Sequence, residues 1–351
     1  MAPLGWPDRR IFLVRTVTLA RRVALMASVL LAIGCSSPGE PVPEANPPVV
    51  PPPESPSDPV PLTFPQVAQI EGRIAFQSDR DGEDAVYITT NERLAVRRLA
   101  RGQRPVISPD GSRVAFFVYG EGSETAVHVI DADGTNERVL ARGENPSWSP
   151  DGRSIVYNSW GAANGSGGGL YIVPADSGAS TLVLANDFES DDSWTSWPSW
   201  SPDGRHIVFT RGFGFDSFEP TEVCLVKPDG SGVRVLARFL NLTNWQEDAT
   251  WSPDGTRILF NSYPFGIVSV DTAGLNLTIH AHGHAFRPDW SPDGQRVSYY
   301  RRTLLTLDGN PRFRILVAGE PGKEFQLIPE STTAAARTYS DSHATWSRSL
   351  H

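Results

Sequence analysis

Cysteine is nearly absent from this 351-residue chain: Cys35 and Cys224 are its only two. No intramolecular disulfide framework is therefore expected, and Cys224, on a predicted strand, reads as a buried, inert thiol. Positive charge is also scarce. The formal net charge is −9, and removing residues 1–34, which hold five arginines and one aspartate, leaves −13. That balance disfavours nucleic acid and direct adsorption to anionic lipid as partners. No apolar run approaches the roughly 20 residues that span a bilayer. Several catalytic signatures are missing too. The glycine-rich stretch from Gly161 to Gly169 lacks the Gly-Lys-Ser/Thr of a phosphate loop and reads as a hairpin turn. No serine nucleophile elbow occurs, and Asp187, Glu189, Asp191 and Asp192 lack the alternating spacing of a calcium loop. These absences point away from an enzyme and leave that question to the sites below.

What the chain has in abundance is one short motif. Ser-Pro-Asp-Gly begins at Ser108, Ser149, Ser201, Ser252 and Ser291; Trp148, Trp200, Trp251 and Trp290 precede the last four copies, and Ile107 the first. Successive motif prolines lie 41, 52, 51 and 39 residues apart, the period of a repeat architecture. Pro presets φ, Asp accepts backbone hydrogen bonds and Gly takes a positive φ, so each copy predicts a tight turn between strands. Five residues after each Pro stands Val114, Ile155, Ile207, Ile258 or Val297, and two further on Phe116, Tyr157, Phe209, Phe260 or Tyr299. A spacing of two puts both side chains on one face of a strand. Third and fourth strands follow in each unit, as in Ala126 to Ile130 and Arg138 to Ala141. Each unit is thus a four-stranded antiparallel meander, strands A to D, and repetition around an axis makes a β-propeller.

The ends count the blades. Ile74 and Phe76 match strand B but lack the motif before them, whereas His343-Ala344-Thr345-Trp346-Ser347 matches strand A without a strand B after it. The expected fold is all-β: a six-bladed propeller of four-stranded antiparallel blades, closed by a C-terminal strand that completes the first blade and removes an open edge.

The repeats resemble those of the TolB-like six-bladed propeller family over residues 66–351. The resemblance implies the fold and not an activity, since such propellers serve as scaffolds, peptide binders, sugar-processing enzymes and gating domains. A proline-rich segment stands where TolB carries a small helical domain, and no hydrolase domain is expected after the propeller.

Residues 1–35 read as a targeting segment. Arg9, Arg10, Arg15, Arg21 and Arg22 are basic, Val23 to Ile33 is apolar, and Leu31-Ala32-Ile33-Gly34-Cys35 resembles a bacterial lipobox in which Cys35 is lipidated. Arg9-Arg10-Ile11-Phe12-Leu13 also resembles a twin-arginine export motif, so the export route stays open. Twelve of the thirty residues from Ser36 to Pro65 are proline. That composition predicts a semi-rigid spacer reaching up to roughly 90 Å. The expectation is an exported, membrane-anchored lipoprotein of the bacterial envelope with a monomeric propeller.

Aligning the units on strand A gives one comparable position per blade at the channel mouth: Arg104, Asn145, Trp197, Asp248, Arg287 and His343. A structural ring would repeat one residue type; this one varies and is polar or aromatic throughout, as a ligand-binding surface would be. Gln103, Glu144, Glu247, Trp194 and Trp245 flank it. The expected function is a non-catalytic binding module for an envelope protein or peptide, with a glycan as the other candidate ligand and no cofactor. The rival reading is a metal-dependent carbohydrate lyase or hydrolase using His280, His282 and His284, because imidazoles suit transition metals.

Overall fold

Every Ser-Pro-Asp-Gly copy closes in the same way. In the second copy the Ser149 hydroxyl donates to Asp151 Oδ1 at 2.6 Å, while its oxygen accepts the Ser154 N–H at 2.9 Å. Asp151 Oδ1 also accepts the Arg153 N–H at 3.0 Å, and Gly152 N–H donates to the Ser149 carbonyl at 2.9 Å. Asp110, Asp203, Asp254 and Asp293 repeat the serine contact within their own turns. The glycines take φ of 68–72°, which L-residues rarely adopt. A Cβ on Gly204 would stand 3.3 Å from Pro150, so successive turns also press against one another.

A computed structural model of the chain describes residues 60–61 and 73–346, less 90–95, 121–123, 162–166, 177, 188–192, 214–219, 241–247, 263–264, 284, 303–312, 321–322 and 327–340. These residues lie in one compact unit spanning 56–351. All its described strands belong to six sheets, the blades. Blade 1 combines strand A from the far end (Asp341–Trp346) with Ile74–Ser78, Ala85–Thr89 and Val96–Arg101. Blade 2 runs Gln103–Ile107, Arg113–Tyr119, Thr125–Asp131 and Arg138–Arg142. Blade 3 runs Glu144–Trp148, Ser154–Ser159, Gly169–Pro174 and Thr181–Ala185. Blade 4 runs Ser193–Trp200, Ile207–Phe213, Pro220–Val226 and Arg234–Leu240. Blade 5 runs Thr250–Trp251, Arg257–Ser262, Gly266–Asp271 and Thr278–Ala281, and blade 6 Ala285–Trp290, Val297–Arg302, Phe313–Glu320 and Lys323–Gln326. All pairs within these blades are antiparallel. The closure expected from the two ends is present: Ile74 pairs with Trp346 and Ala75 with Thr345. Thr345 Oγ1 then donates to the Pro105 carbonyl at 3.0 Å, joining blade 1 to blade 2.

One pairing was not expected. Val60 and Pro61, within the stretch read as spacer, lie parallel to Phe325 and Gln326 on the outer edge of blade 6. Pro lacks the donor that would extend the ladder outward, so it suits a terminal edge strand.

The core is a series of layers between blades. Ala75, Val86 and Ile88 of blade 1 meet Ile107, Val114 and Phe116 of blade 2; Val208, Val223 and Leu225 of blade 4 meet Trp251, Ile258 and Phe260 of blade 5. Strands B and C are therefore covered on both faces, and every residue of Ile74–Ser78 and Ala85–Thr89 is buried. The apolar-aromatic pairs of the repeat contribute Phe116, Phe209, Phe260 and Tyr299 to these layers. Each such side chain is worth about 1.5–3 kcal/mol of burial. Two of the repeat tryptophans stitch neighbours together: Trp148 Nε1 donates to the Val106 carbonyl and Trp251 Nε1 to that of Ser199.

Candidate functional site

Strand A begins on the face where strand D of the preceding blade ends, so the starts of strands A stand at one mouth of the central channel. The motif turns surround the other. The ring positions stand at the first mouth, and their backbone is unusual. Arg104, Asn145, Trp197 and Arg287 have φ of 52°, 54°, 50° and 52°. Only two other described non-glycine residues are positive, Asn136 and Asn276, and asparagine tolerates this region. Arginine and tryptophan do not, and each of the four precedes a proline, which further disfavours helical ψ. The strand A ladder slips at these points, as a bulge requires, between Gln103 and Val106, Ser196 and Ser199, and Phe286 and Asp289. A bulge re-aims a side chain that regular pleating would direct into a neighbouring blade.

The re-aimed side chains meet across the mouth. Arg104 Nη1 donates to Asp248 Oδ1 at 3.1 Å, and Arg287 Nε stands 3.7 Å from Asp248 Oδ2. One carboxylate thus lies between two guanidiniums, with side chains 14% (Arg104), 25% (Asp248) and 21% (Arg287) exposed. Burial and then the neighbouring Arg104 charge push the Arg287 guanidinium down to about 10. Burial raises the Tyr300 hydroxyl, and the Arg287 guanidinium lies 5.6 Å from that ring's centre. The Arg104 guanidinium covers Trp197 at 5.3 Å.

Blades 3 and 4 give the mouth an aromatic side. Trp194 meets Trp197 edge-on at 6.3 Å and Trp160 at 5.8 Å. Trp194 lies across Gly212, where a Cβ would fall 2.1 Å from the indole, so only glycine admits it. Trp160 Nε1 donates to Glu144 at 2.7 Å. Asn145 Nδ2 donates to Asn158 Oδ1 at 2.8 Å and approaches Ser196 Oγ at 3.4 Å, but its own Oδ1 is buried without a partner, as is Trp197 Nε1. Pro105, Pro146, Pro198, Ala249 and Pro288 line a cavity of about 180 Å³ together with Ser147, Ser199, Thr250 and Asp289. Proline suits this inner edge because a strand A amide there would face the channel unpaired.

The structure thus brings together five of the six ring residues. The backbone of His343 lies on strand A of blade 1, but its side chain is outside the described residues, as are Trp245, Glu247, His284 and Cys35 altogether. Gln103 Nε2 is engaged by Asp84 at 2.7 Å. Of the histidine run, His280 turns inward: its Nε2 lies 2.9 Å from Ser269 Oγ, its ring meets Trp290 edge-on, and burial pushes it down to about 4. His282 is exposed, and Gly283 turns with φ 81°. Among the described residues no three His, Cys, Asp or Glu side chains gather as metal ligands.

Sequence reasoning missed two features. Trp160 joins the mouth from a B–C connection, a place strand A alignment does not reach. Glu222, fully buried, takes Arg211 at 2.9 Å and 2.5 Å on one oxygen and Arg238 at 2.8 Å on the other. Its neighbour Cys224 is buried and pushed up to about 12, in keeping with an inert thiol.

Residues 103–273 match the family model of the TolB beta propeller domain. Among solved structures, TolB from Acinetobacter baumannii aligns with 79% of this chain and 67% of its own, at 17% identity and a TM-score of 0.59. A putative TolB from Agrobacterium tumefaciens aligns with 79% and 99%, at 16% and 0.52. A chain of a nidogen/laminin complex aligns with 73% and 94%, at 11% and 0.51. At these identities the likeness is one of fold. A search of curated proteins by sequence finds no match. Motif, blade count and family model agree on the fold: residues 103–273 match the TolB beta propeller domain, and the described strands form a six-bladed β-propeller.

Proposed function

We propose that this chain is a binding module of the bacterial cell envelope, offering the ringed channel mouth to a protein or peptide ligand. One observation carries the reading: four side chains of three kinds, two of them arginine, are held at that mouth by a backbone conformation unfavourable to all but Asn145. Each such residue costs of the order of 1–3 kcal/mol, and strain of this kind collects at ligand sites. Arg and Trp are also the residues that most often dominate binding energy. Export and lipidation at Cys35, with residues 36–59 as a tether ahead of the paired Val60–Pro61, fit the same reading.

Capture from envelope extract tests it. The Arg287→Ala/Trp197→Ala double variant is expected to lose the partner by about tenfold or more, roughly 1.4 kcal/mol per decade. Arg153→Ala and Arg205→Ala, on the opposite face, are expected to bind as wild type. The reverse pattern refutes the assignment of the mouth. Cys35→Ser separately tests the anchor: it should release the protein from membranes or leave it unprocessed, and a wild-type protein already soluble, with another N-terminus, refutes lipidation. Stoichiometric transition metal in the purified protein would instead favour a metal-dependent carbohydrate lyase or hydrolase at His280–His284.

A further inference from the structure

Arg104 reaches across the channel mouth. Its backbone belongs to strand A of blade 2, whereas its partner Asp248 leads into strand A of blade 5, the opposite blade of the six. The guanidinium also covers Trp197 of blade 4 at 5.3 Å. The cationic head is thus held over the channel axis, at the cavity that Arg104, Trp197 and Asp248 all line. Its hydrogen-bonding capacity is only partly used there. Of five N–H donors, one donates to a side chain among the described residues, Nη1 to Asp248 Oδ1 at 3.1 Å, and that carboxylate also faces Arg287 Nε at 3.7 Å. The contact is single-pronged, although a guanidinium and a carboxylate can form two parallel hydrogen bonds. Two other acids close to this cluster are already engaged: Glu144 accepts from Trp160 Nε1 and Asp84 from Gln103 Nε2. The Arg104 side chain is only 14% exposed, and a largely buried cation with donors to spare calls for a further acceptor.

We propose that the mouth takes an acidic side chain of the partner, whose carboxylate enters along the channel axis and pairs with Arg104. The inference rests on the mouth being the binding site, and it names the ligand group that is read there. Asp248 shows which group suits this guanidinium, and the partner's carboxylate takes up N–H donors that Asp248 leaves. A fork of two N–H groups matches the two oxygens of a carboxylate in charge-assisted hydrogen bonds, roughly twice as strong as neutral ones. A cavity of about 180 Å³ suits a single side chain, whereas whole small ligands usually occupy roughly 300–1,000 Å³. The chain carries a formal charge of −9, so its long-range field does not draw acids in. The attraction is local, strengthened by the low dielectric around a largely buried guanidinium.

The test titrates the purified protein with acetyl-Gly-Glu-Gly-amide and acetyl-Gly-Gln-Gly-amide, both blocked at their ends, at neutral pH. Binding is read by NMR from the side-chain Nε–H signal of Arg104, assigned by its loss in Arg104→Lys. The Glu peptide is expected to bind at least about tenfold more tightly than the Gln peptide, the difference a charge-assisted hydrogen bond makes. Arg104→Gln should erase that preference, and Arg104→Lys, which keeps the charge without the fork, should retain part of it. Asp248→Asn should tighten the Glu peptide, since it removes the carboxylate that competes for Arg104; a merely structural Arg104–Asp248 pair predicts no gain. Melting temperatures near wild type establish that each variant is folded, with Arg104→Lys as the second variant at that position. Equal binding of the two peptides overturns the inference, as does an Arg104 signal that stays unmoved up to about 10 mM Glu peptide, tenfold beyond millimolar affinity. Acetyl-Gly-Gln-Gly with a free C-terminus binding as tightly as the Glu peptide would overturn it in favour of a chain end, and inorganic phosphate doing so in favour of a free anion. If the Arg287→Ala/Trp197→Ala variant loses envelope capture while the Glu and Gln peptides bind alike, this inference falls and the mouth remains the site. Capture insensitive to that variant would remove both readings.

Discussion

Replacing Arg104 by Ala and, separately, by Gly isolates the strain at the channel mouth. Both variants delete the same side chain, so both lose the Asp248 ion pair and the stacking on Trp197. They differ only in backbone tolerance. At φ 52° an alanine pays about 1–2 kcal/mol for its Cβ, whereas glycine pays nothing there. Glycine loses about 0.5–1 kcal/mol more backbone entropy on folding. The balance favours Gly over Ala at 104 by about 0.5–1 kcal/mol, and the following proline adds to it. Arg97, exposed on strand D of blade 1 and not among the positive-φ residues, serves as the control. There Gly is expected to be worse than Ala by about 0.5–1 kcal/mol. The contrast between positions is therefore about 1–2 kcal/mol, well resolved by urea midpoints at constant m-value. Positions 197 and 287 are expected to share the sign of 104. If Ala proves as stable as Gly at 104, the ring is not strained and the functional argument from it fails.

Glu222→Gln removes the carboxylate from between Arg211 and Arg238, whose side chains are 26% and 66% exposed, and is expected to cost about 1.5–3 kcal/mol by urea unfolding; an unchanged midpoint would show that the triad does not stabilise the fold. Although burial alone would raise the Glu222 carboxyl, Arg211 and Arg238 hold it below its ordinary value. Its contribution is thus full above the unfolded value and lost as pH falls through the lower folded one. For His280, burial depresses the folded value to about 4 from an ordinary 6.5, so the unfolded chain binds the extra proton between them. Stability should rise from pH 4 to about 6.5 and level off above, and His280→Phe should flatten that part of the curve; an unchanged profile would show that the imidazole does not contribute. Deleting residues 344–351 removes the Ile74–Trp346 and Ala75–Thr345 pairs, half of the strand A pairing of blade 1, and should cost several kcal/mol, a large share of a typical domain's stability. A truncated protein that melts like the full chain would refute the closure.

The blades were legible in the sequence because their determinants are local. Ser-Pro-Asp-Gly specifies its turn with contacts no more than five residues apart, and the apolar-aromatic pair after it defines a strand. The complementary ends, Ile74 without a strand A and Trp346 without a strand B, implied closure for the same reason. Strand A register even located the ring. Tertiary structure alone decided what the ring is. Arg104 and Asp248 are 144 residues apart and meet only because the blades close around one axis. The left-handed conformation of Arg104, Trp197 and Arg287 leaves no compositional trace, since neither arginine nor tryptophan prefers it. Glu222 and its arginines face one another by cross-strand register, and Val60–Pro61 pairs with blade 6 from within a segment whose proline content argues against pairing. Local hydrogen bonding can be read along a chain; which distant side chains share a channel is settled only when the sheets pack.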